Sequence, residues 1–158
     1  MENQVKIYKR GKDMEFVRDV ISKKGSKFWS VTLETSVKSS LDLMADKNIG
    51  AVPILDTKGE IAGIFSERDY TRACSKDNNL CLECPVSEVM TSRVFCISPK
   101  QSIDYCMALM TEKRIRHLPV LDGSTLVGII SIGDVVKAVI TEKNILIDQL
   151  EHYIEGSL

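Results

Sequence analysis

The sequence predicts an α/β protein made of two β-α-β-β-α units packed sheet to sheet, and three observations predict it. The first is an internal duplication. Ile49-Gly-Ala-Val-Pro-Ile-Leu-Asp56 is answered by Ile115-Arg-His-Leu-Pro-Val-Leu-Asp122, and Gly63-Ile-Phe-Ser-Glu-Arg-Asp69 by Gly128-Ile-Ile-Ser-Ile-Gly-Asp134. With one gap in the turn after the aspartate, Ile49, Pro53, Leu55, Asp56, Gly63, Ile64, Ser66 and Asp69 are identical in the second copy. A fixed period of this kind marks a repeated structural unit. The second observation is helical periodicity ahead of each strand pair, and the third is a pair of short apolar runs in each copy joined by a turn containing Asp and Gly.

Taken in order, Val37, Leu41, Met44 and Ala45 form one apolar face of a helix, as do Ile103, Cys106, Met107 and Met110 in the second copy. Ser36 and Ser102 stand where helix caps belong. Ala51–Leu55 and Leu118–Leu121 read as strands, followed by Asp56–Gly59 and Asp122-Gly123 as turns. Ile61–Phe65 and Leu126–Ile130 supply the partner strands, and a second helix starts near Ser66 and Ser131. Upstream, Val17-Arg-Asp-Val-Ile21 answers Val86-Ser-Glu-Val-Met90. The division that follows is a tail over 1–15, a first repeat over 16–74, a linker over 75–84, a second repeat over 85–141 and a helical extension over 142–158. A unit of this size buries too little surface to stand alone, so the copies are expected to share a core. The extension keeps an apolar stripe, Val136, Val139, Ile140, Ile147, Leu150 and Ile154, which fits either a second subunit or a surface helix folding back on its own domain.

Composition narrows the function classes. In 158 residues, 44% hydrophobic and 27% charged, the formal net charge is -1, which supports no adhesion to nucleic acid or anionic membrane. No apolar run reaches the roughly 18 residues of a membrane span, and the polar start carries no secretory signal, so a cytoplasmic address is expected. Five scattered cysteines do not form a disulfide framework. Cys81-Leu-Glu-Cys84 lacks the second pair that zinc wants and sits in the linker, leaving a labile redox pairing with Cys74 as its remaining use. No nucleophile–base–acid set is present, so no enzyme and no catalytic residue is expected.

The chemistry lies in Gly-apolar-x-Ser-x-x-Asp, present twice. Ser66 with Asp69, and Ser131 with Asp134, are compatible with a plain capping box. The same arrangement also suits a nucleotide. A helix N-terminus attracts phosphate, the Ser hydroxyl adds a donor, and the Asp carboxylate offers two acceptors to a ribose diol. Arg68 lies inside the first motif, while Arg114, Arg116 and His117 precede a second-copy strand. Gly50-Ala51 and Ile132-Gly133 replace these basic groups in the other copy, so charge is expected to favour the Asp69 site and to leave the Asp134 site poor in cations.

These residues resemble a tandem pair of CBS (cystathionine-β-synthase-type) domains, a Bateman module, over about Phe16 to Ile140. The resemblance is strongest to stand-alone bacterial CBS-pair proteins and their organelle relatives in plants. It implies a pseudo-twofold sandwich, a homodimer, and an adenosyl ligand between the repeats: AMP foremost, otherwise ADP, ATP, NAD(H) or S-adenosylmethionine. It implies Asp69 and Asp134 on ribose, Ser66 and Ser131 on phosphate, and Arg116 and His117 reaching toward the phosphate at the Asp69 site. Ile49, Pro53, Ile115 and Pro119 would wall the adenine, with Thr32 and Ser98 at the sheet edge. The function implied is that of a non-catalytic nucleotide sensor acting on a separate regulated protein. The alternatives are a ligand-independent dimerisation scaffold and an S-adenosylmethionine sensor.

Overall fold

The computed structural model describes residues 15–25, 27–76 and 82–155. Helix α1 (Val17–Lys24) leads into strand β1 (Val31–Thr32), helix α2 (Val37–Lys47), strands β2 (Ala51–Leu55) and β3 (Ile61–Ser66), and helix α3 (Glu67–Lys76). A single 3-10 turn (Val86–Glu88) precedes α4 (Ile103–Lys113), β4 (His117–Asp122), β5 (Thr125–Ser131) and the long α5 (Ile132–Glu155). The architecture is α/β with two sheets, β1-β2-β3 and β4-β5.

The local reasons are those of ordinary helix and hairpin chemistry. Ser36 Oγ accepts the Ser39 N–H at 3.0 Å and Ser102 Oγ accepts the Tyr105 N–H at 3.2 Å, capping α2 and α4. Both helices end on a left-handed residue, Asn48 (φ 52°) and Arg114 (φ 53°). Arg114 therefore serves a helix end. The hairpin β2–β3 runs antiparallel with Pro53 opposite Ile64, and β4–β5 repeats this with Pro119 opposite Ile129.

The second copy lacks a regular counterpart of β1. Only Ile97 bridges to Val120, donating to the Pro119 carbonyl at 3.0 Å and accepting from Leu121 N–H at 2.8 Å. The chain then turns, Gln101 N–H bonding the Ser98 carbonyl at 3.1 Å, and Pro99 has no N–H with which to continue a ladder.

Two hydrophobic clusters form, one on each sheet, in place of a single common core. Val31, Val37, Met44, Val52, Ile54 and Phe65 fill the first, together with Val86 from the second half of the chain. Ile97, Ile103, Cys106, Met110, Leu118, Val120, Ile130 and Val135 fill the second, together with Val17 and Val20 from the first half. Each repeat thus has its lead-in segment docked on the other repeat. Val17 N–H bonds the Gln101 carbonyl at 2.9 Å and Ile103 N–H the Glu15 carbonyl at 3.0 Å. In the same way, Val37 N–H bonds the Cys84 carbonyl at 2.9 Å and Val86 N–H the Thr35 carbonyl at 2.7 Å. Burying each such valine stabilises the assembly by about 1.5–3 kcal/mol, so neither half keeps its core without the other. Glycine permits the closest approaches. A side chain at Gly63 would collide with Met90 Sδ, and one at Gly128 would meet Ile21 Cδ1 at 3.1 Å.

Candidate functional site

The two hairpins bring the Ser–Asp motifs to the start of α3 and of α5. In both, the capping geometry is fully formed. Asp69 Oδ2 accepts the Ser66 N–H at 2.9 Å and the Ser66 hydroxyl at 2.5 Å. Asp134 Oδ2 accepts the Ser131 N–H at 2.7 Å and the Ser131 hydroxyl at 2.9 Å. The serine protons are therefore given to carboxylate, and in this conformation they are not aimed at a separate anion. Ladder bonds continue past the strands, from Glu67 N–H to the Gly50 carbonyl at 3.2 Å and from Ile132 N–H to the Arg116 carbonyl at 2.8 Å.

Beside Asp69 lies a cavity of about 140 Å³ lined from both halves of the chain. The first repeat contributes Gly50, Ile64, Ser66, Glu67, Arg68, Asp69 and Arg72, and the second contributes Ile115, Arg116 and His117. Thr91, on the lead-in docked against β3, donates its hydroxyl to Asp69 Oδ1 at 2.8 Å. The Asp69 carboxylate thus holds neutral donors only, while Arg68, Arg72 and Arg116, with Glu67 as the one further carboxylate, line the same hollow. The Arg68 guanidinium bonds the Arg114 carbonyl, closing one lip.

The equivalent region of Asp134 is built differently. Lys24, at the end of α1, sets its ammonium 2.8 Å from Asp134 Oδ2 and 3.3 Å from the Ile129 carbonyl. Burial pushes the Asp134 carboxyl up, but the Lys24 ammonium and the Ser131 N–H and hydroxyl outweigh it and hold it below the usual carboxylate value. Lys24 also stands between two hollows. One, of about 370 Å³, is lined by Glu15, Lys23, Asp134 and Lys137 among others. The other, of about 350 Å³, lies between the hairpins and includes Lys27, Trp29, Ile49, Gly50, His117 and Ser131. The expectation that the Asp134 side is poor in cations is corrected: Lys23 and Lys24 come from α1, at the start of the first repeat, and Lys137 from α5, all outside the paired motifs.

His117 borders the cavity beside Asp69 and the hollow between the hairpins alike. Its ring packs where a Gly50 side chain would stand, Cε1 being 3.3 Å from that position. Burial first, and then the Lys24 charge, hold the imidazole below its ordinary value, against the pull of Asp134 and Glu67.

Of the residues expected at a site, Ser66, Arg68, Asp69, Ile115, Arg116 and His117 meet at one cavity, and Ile49 and Ser131 meet at the opposite hollow. Pro53 and Pro119 line neither; both are fully buried, on the faces of β2 and β4 opposite to the core-filling Val52 and Ile54 and the core-filling Leu118 and Val120. Thr32 and Ser98 line none of these cavities. They close turns instead, Thr35 N–H bonding the Thr32 carbonyl at 3.2 Å and Lys100 N–H bonding Ser98 Oγ at 3.3 Å. Sequence reasoning missed Lys24, Arg72 and Thr91. Arg72 was legible one helical turn after Arg68, and Thr91 directly follows the repeated Val86–Met90 segment. Trp29, 46% exposed under the Lys47 ammonium, borders a hollow and does not fill a core. Cys81 lies outside the described residues. No group of three or more metal-binding side chains occurs among the described residues, and no helix there is long and apolar enough to cross a membrane.

Comparison with known proteins shows the family and the fold. The sequence profile of the CBS domain matches residues 17–76 and 86–141. The CBS domain-containing protein CBSX3, mitochondrial, of Arabidopsis thaliana is 33% identical over 149 residues, covering 89% of this chain and 72% of that protein. A solved structure of a CBS-domain protein from Burkholderia ambifaria MC40-6 is 45% identical, with a TM-score of 0.75 over 80% of this chain and 95% of that one. The CBS domain pair of protein MJ0100, solved in complex with 5-methylthioadenosine and S-adenosyl-L-methionine, shares the fold at a TM-score of 0.68 and 23% identity, over 80% of this chain and 96% of that one.

Proposed function

The chain belongs to the CBS-domain family with two such domains in tandem, and we propose that it is a non-catalytic sensor that binds an adenine nucleotide beside Asp69 and thereby regulates a separate protein. One observation carries the reading: a carboxylate with neutral partners and the guanidinium groups of Arg68, Arg72 and Arg116 border one hollow, drawn from both repeats. A nucleotide needs this combination, an acceptor pair for the ribose diol and cations for the phosphate. Ile64 and Ile115 supply apolar surface for the base.

At about 140 Å³ the cavity is smaller than the roughly 300–1,000 Å³ of small-molecule sites, so ligand entry has to widen it. The Arg68 guanidinium is the part best placed to move, since the residue is only half-buried and leaves only a carbonyl behind. Its swing from the Arg114 carbonyl to a phosphate converts binding into a shift between α3 and the α4–β4 junction. A ligand biases such a shift only through its differential affinity for the two arrangements. AMP is the foremost candidate, with ADP, ATP and NAD(H) extending the phosphate further along the arginines. The S-adenosylmethionine reading draws support from the ligands of the MJ0100 pair. The arginines oppose it, because they would face a sulfonium cation where they could face a phosphate anion.

Isothermal titration of the full chain with AMP, ADP, ATP, NADH and S-adenosylmethionine, alongside Trp29 fluorescence, tests the proposal. Saturable binding of a phosphorylated nucleotide that Asp69→Ala removes is expected. Binding of none of them would leave the scaffold reading in its place.

A further inference from the structure

Asp134 and Ser131 belong to one motif, yet they open on different hollows. Asp134 lines the one of about 370 Å³ and Ser131 the one of about 350 Å³ between the hairpins, while Lys24 borders both. The Lys24 ammonium holds Asp134 Oδ2 at 2.8 Å and the Ile129 carbonyl at 3.3 Å. One flexible side chain thus bars the carboxylate from the hollow between the hairpins.

Helix α1 is fastened unevenly. Val17 and Val20 are buried in the second core, and Ile21 packs against it. The last turn is held by polar contacts instead: Lys23 to Glu15 at 2.6 Å, Lys24 to Asp134, and Gly25 N–H to the Ile21 carbonyl at 2.9 Å. Gly25, directly after Lys24, has a φ of 91° and open space around its Cα, so the chain has a hinge just where the lysine ends the helix. The lead-in beside Asp69 has no such freedom. Thr91 is bolted to Ile64 through its N–H at 2.9 Å and its carbonyl at 3.0 Å, so only its hydroxyl can turn.

We infer that the Lys24–Asp134 pair is an autoinhibitory latch: the last turn of α1 keeps the carboxylate closed, and a ribose that takes the carboxylate releases that turn at Gly25. The inference rests on the proposed nucleotide reading and adds an output to it, because the released turn leads through Lys27 and Trp29 into β1. The latch is weak enough to yield. Its side chains are 42% and 20% exposed, so solvent screens the pair, and a diol that replaces the ammonium makes charge-assisted bonds to the same carboxylate. Lys23 and Lys137 in one hollow and Lys27 in the other stay in place when it opens.

Lys24→Met keeps an unbranched side chain and removes its charge. In the full chain without nucleotide, this variant quickens amide hydrogen exchange at position 24 and at Gly25 about 3-fold to 10-fold and leaves Val20 unchanged, while Lys24→Arg restores the slow rate. Isothermal titration with adenosine, which has no phosphate for a lysine to attract, shows the step that Asp134→Ala abolishes tightened by a comparable factor in Lys24→Met. Saturating adenosine quickens exchange at Gly25 in the parent protein and no further in Lys24→Met. Exchange indifferent to Lys24→Met would overturn the proposal. So would an Asp134 step that Lys24→Met weakens, since Lys24 would then be a ligand contact, or a step still absent once the latch is gone. The Asp69 step, whose hollow Lys24 does not line, judges the proposed function separately.

Discussion

Replacing Asp69 by Asn separates a ribose-binding carboxylate from a capping one. In the structure Oδ2 is committed to the Ser66 N–H and hydroxyl, and Oδ1 receives the Thr91 hydroxyl at 2.8 Å. An Asn can keep its oxygen on Ser66 and turn its amide N–H₂ toward Thr91, whose hydroxyl is free to reverse. The cap survives in neutral form, and the expected loss of stability is about 1 kcal/mol. The ribose loses more. Two diol hydroxyls need acceptors, the amide nitrogen cannot accept, and the remaining bond is no longer charge-assisted. Losing that much hydrogen bonding costs about 2–3 kcal/mol, which weakens AMP binding roughly 30-fold to 150-fold.

Isothermal titration reads this directly, and 2′-deoxy-AMP completes a cycle that isolates the contact. On the parent protein the missing hydroxyl costs about 1–2 kcal/mol; on Asp69→Asn it costs close to nothing. If 2′-deoxy-AMP is disfavoured equally by both proteins, the carboxylate does not hold the diol, and Asp69 is a helix cap and nothing more. Asp134→Asn, measured in parallel, reports the same chemistry at the other motif.

Three further outcomes are expected. Arg116→Ala and Arg72→Ala each weaken AMP about 10-fold while leaving adenosine unchanged in the same titration, since only the phosphate contact is removed. Gly63→Ala lowers the unfolding free energy by about 1–3 kcal/mol in urea titration, because the new methyl meets Met90 and stands 3.1 Å from the Thr91 carbonyl. His117 is held below its ordinary value by burial and by Lys24, so as pH falls the unfolded chain takes up the proton first. Stability is then full above about 6.5 and declines as pH drops through the folded-state value, and His117→Gln flattens that part of the urea-derived profile. The decline that sets in below the ordinary Asp value, where Asp134 loses its charge opposite Lys24, remains in that variant.

How much was legible in the sequence depends on whether a residue's role is local. The hairpins, the caps at Ser36 and Ser102, and the Ser–Asp pairs rest on neighbours within a few positions, and the duplication doubled each signal. Asp69 was legible because both copies keep it, and Arg68, Arg116 and His117 because one copy differs from the other just there. What could not be read is the exchange of lead-in segments. Val17-Arg-Asp-Val-Ile21 looks as if it opens the first repeat, yet its valines complete the second core, and no local pattern tells a helix which of two similar grooves it will fill. Lys24 and Thr91 travel with those segments, so their meeting with Asp134 and Asp69 stayed hidden. Pro53 and Pro119 line neither hollow in this conformation because β2 and β4 are covered on both faces, which an apolar run alone does not tell apart from a strand with one open face.

The exchange also makes the two motifs unequal in a way that bears on the proposed sensor. At Asp69 the lead-in supplies a hydroxyl, and the carboxylate keeps its charge available to a diol. At Asp134 it supplies an ammonium, and any ribose has to displace Lys24 before it can use the carboxylate. On the proposed reading the Asp134 site is costlier to open, and the nucleotide titration is expected to show it as a second, weaker step that Lys24→Ala alters. His117 stands between them, and Lys24 is one of the two cations depressing its protonation, the other being Arg116. A phosphate that draws either cation away makes the imidazole easier to protonate, which changes the charge presented to the other hollow. Coupling of this kind is reciprocal by thermodynamic necessity.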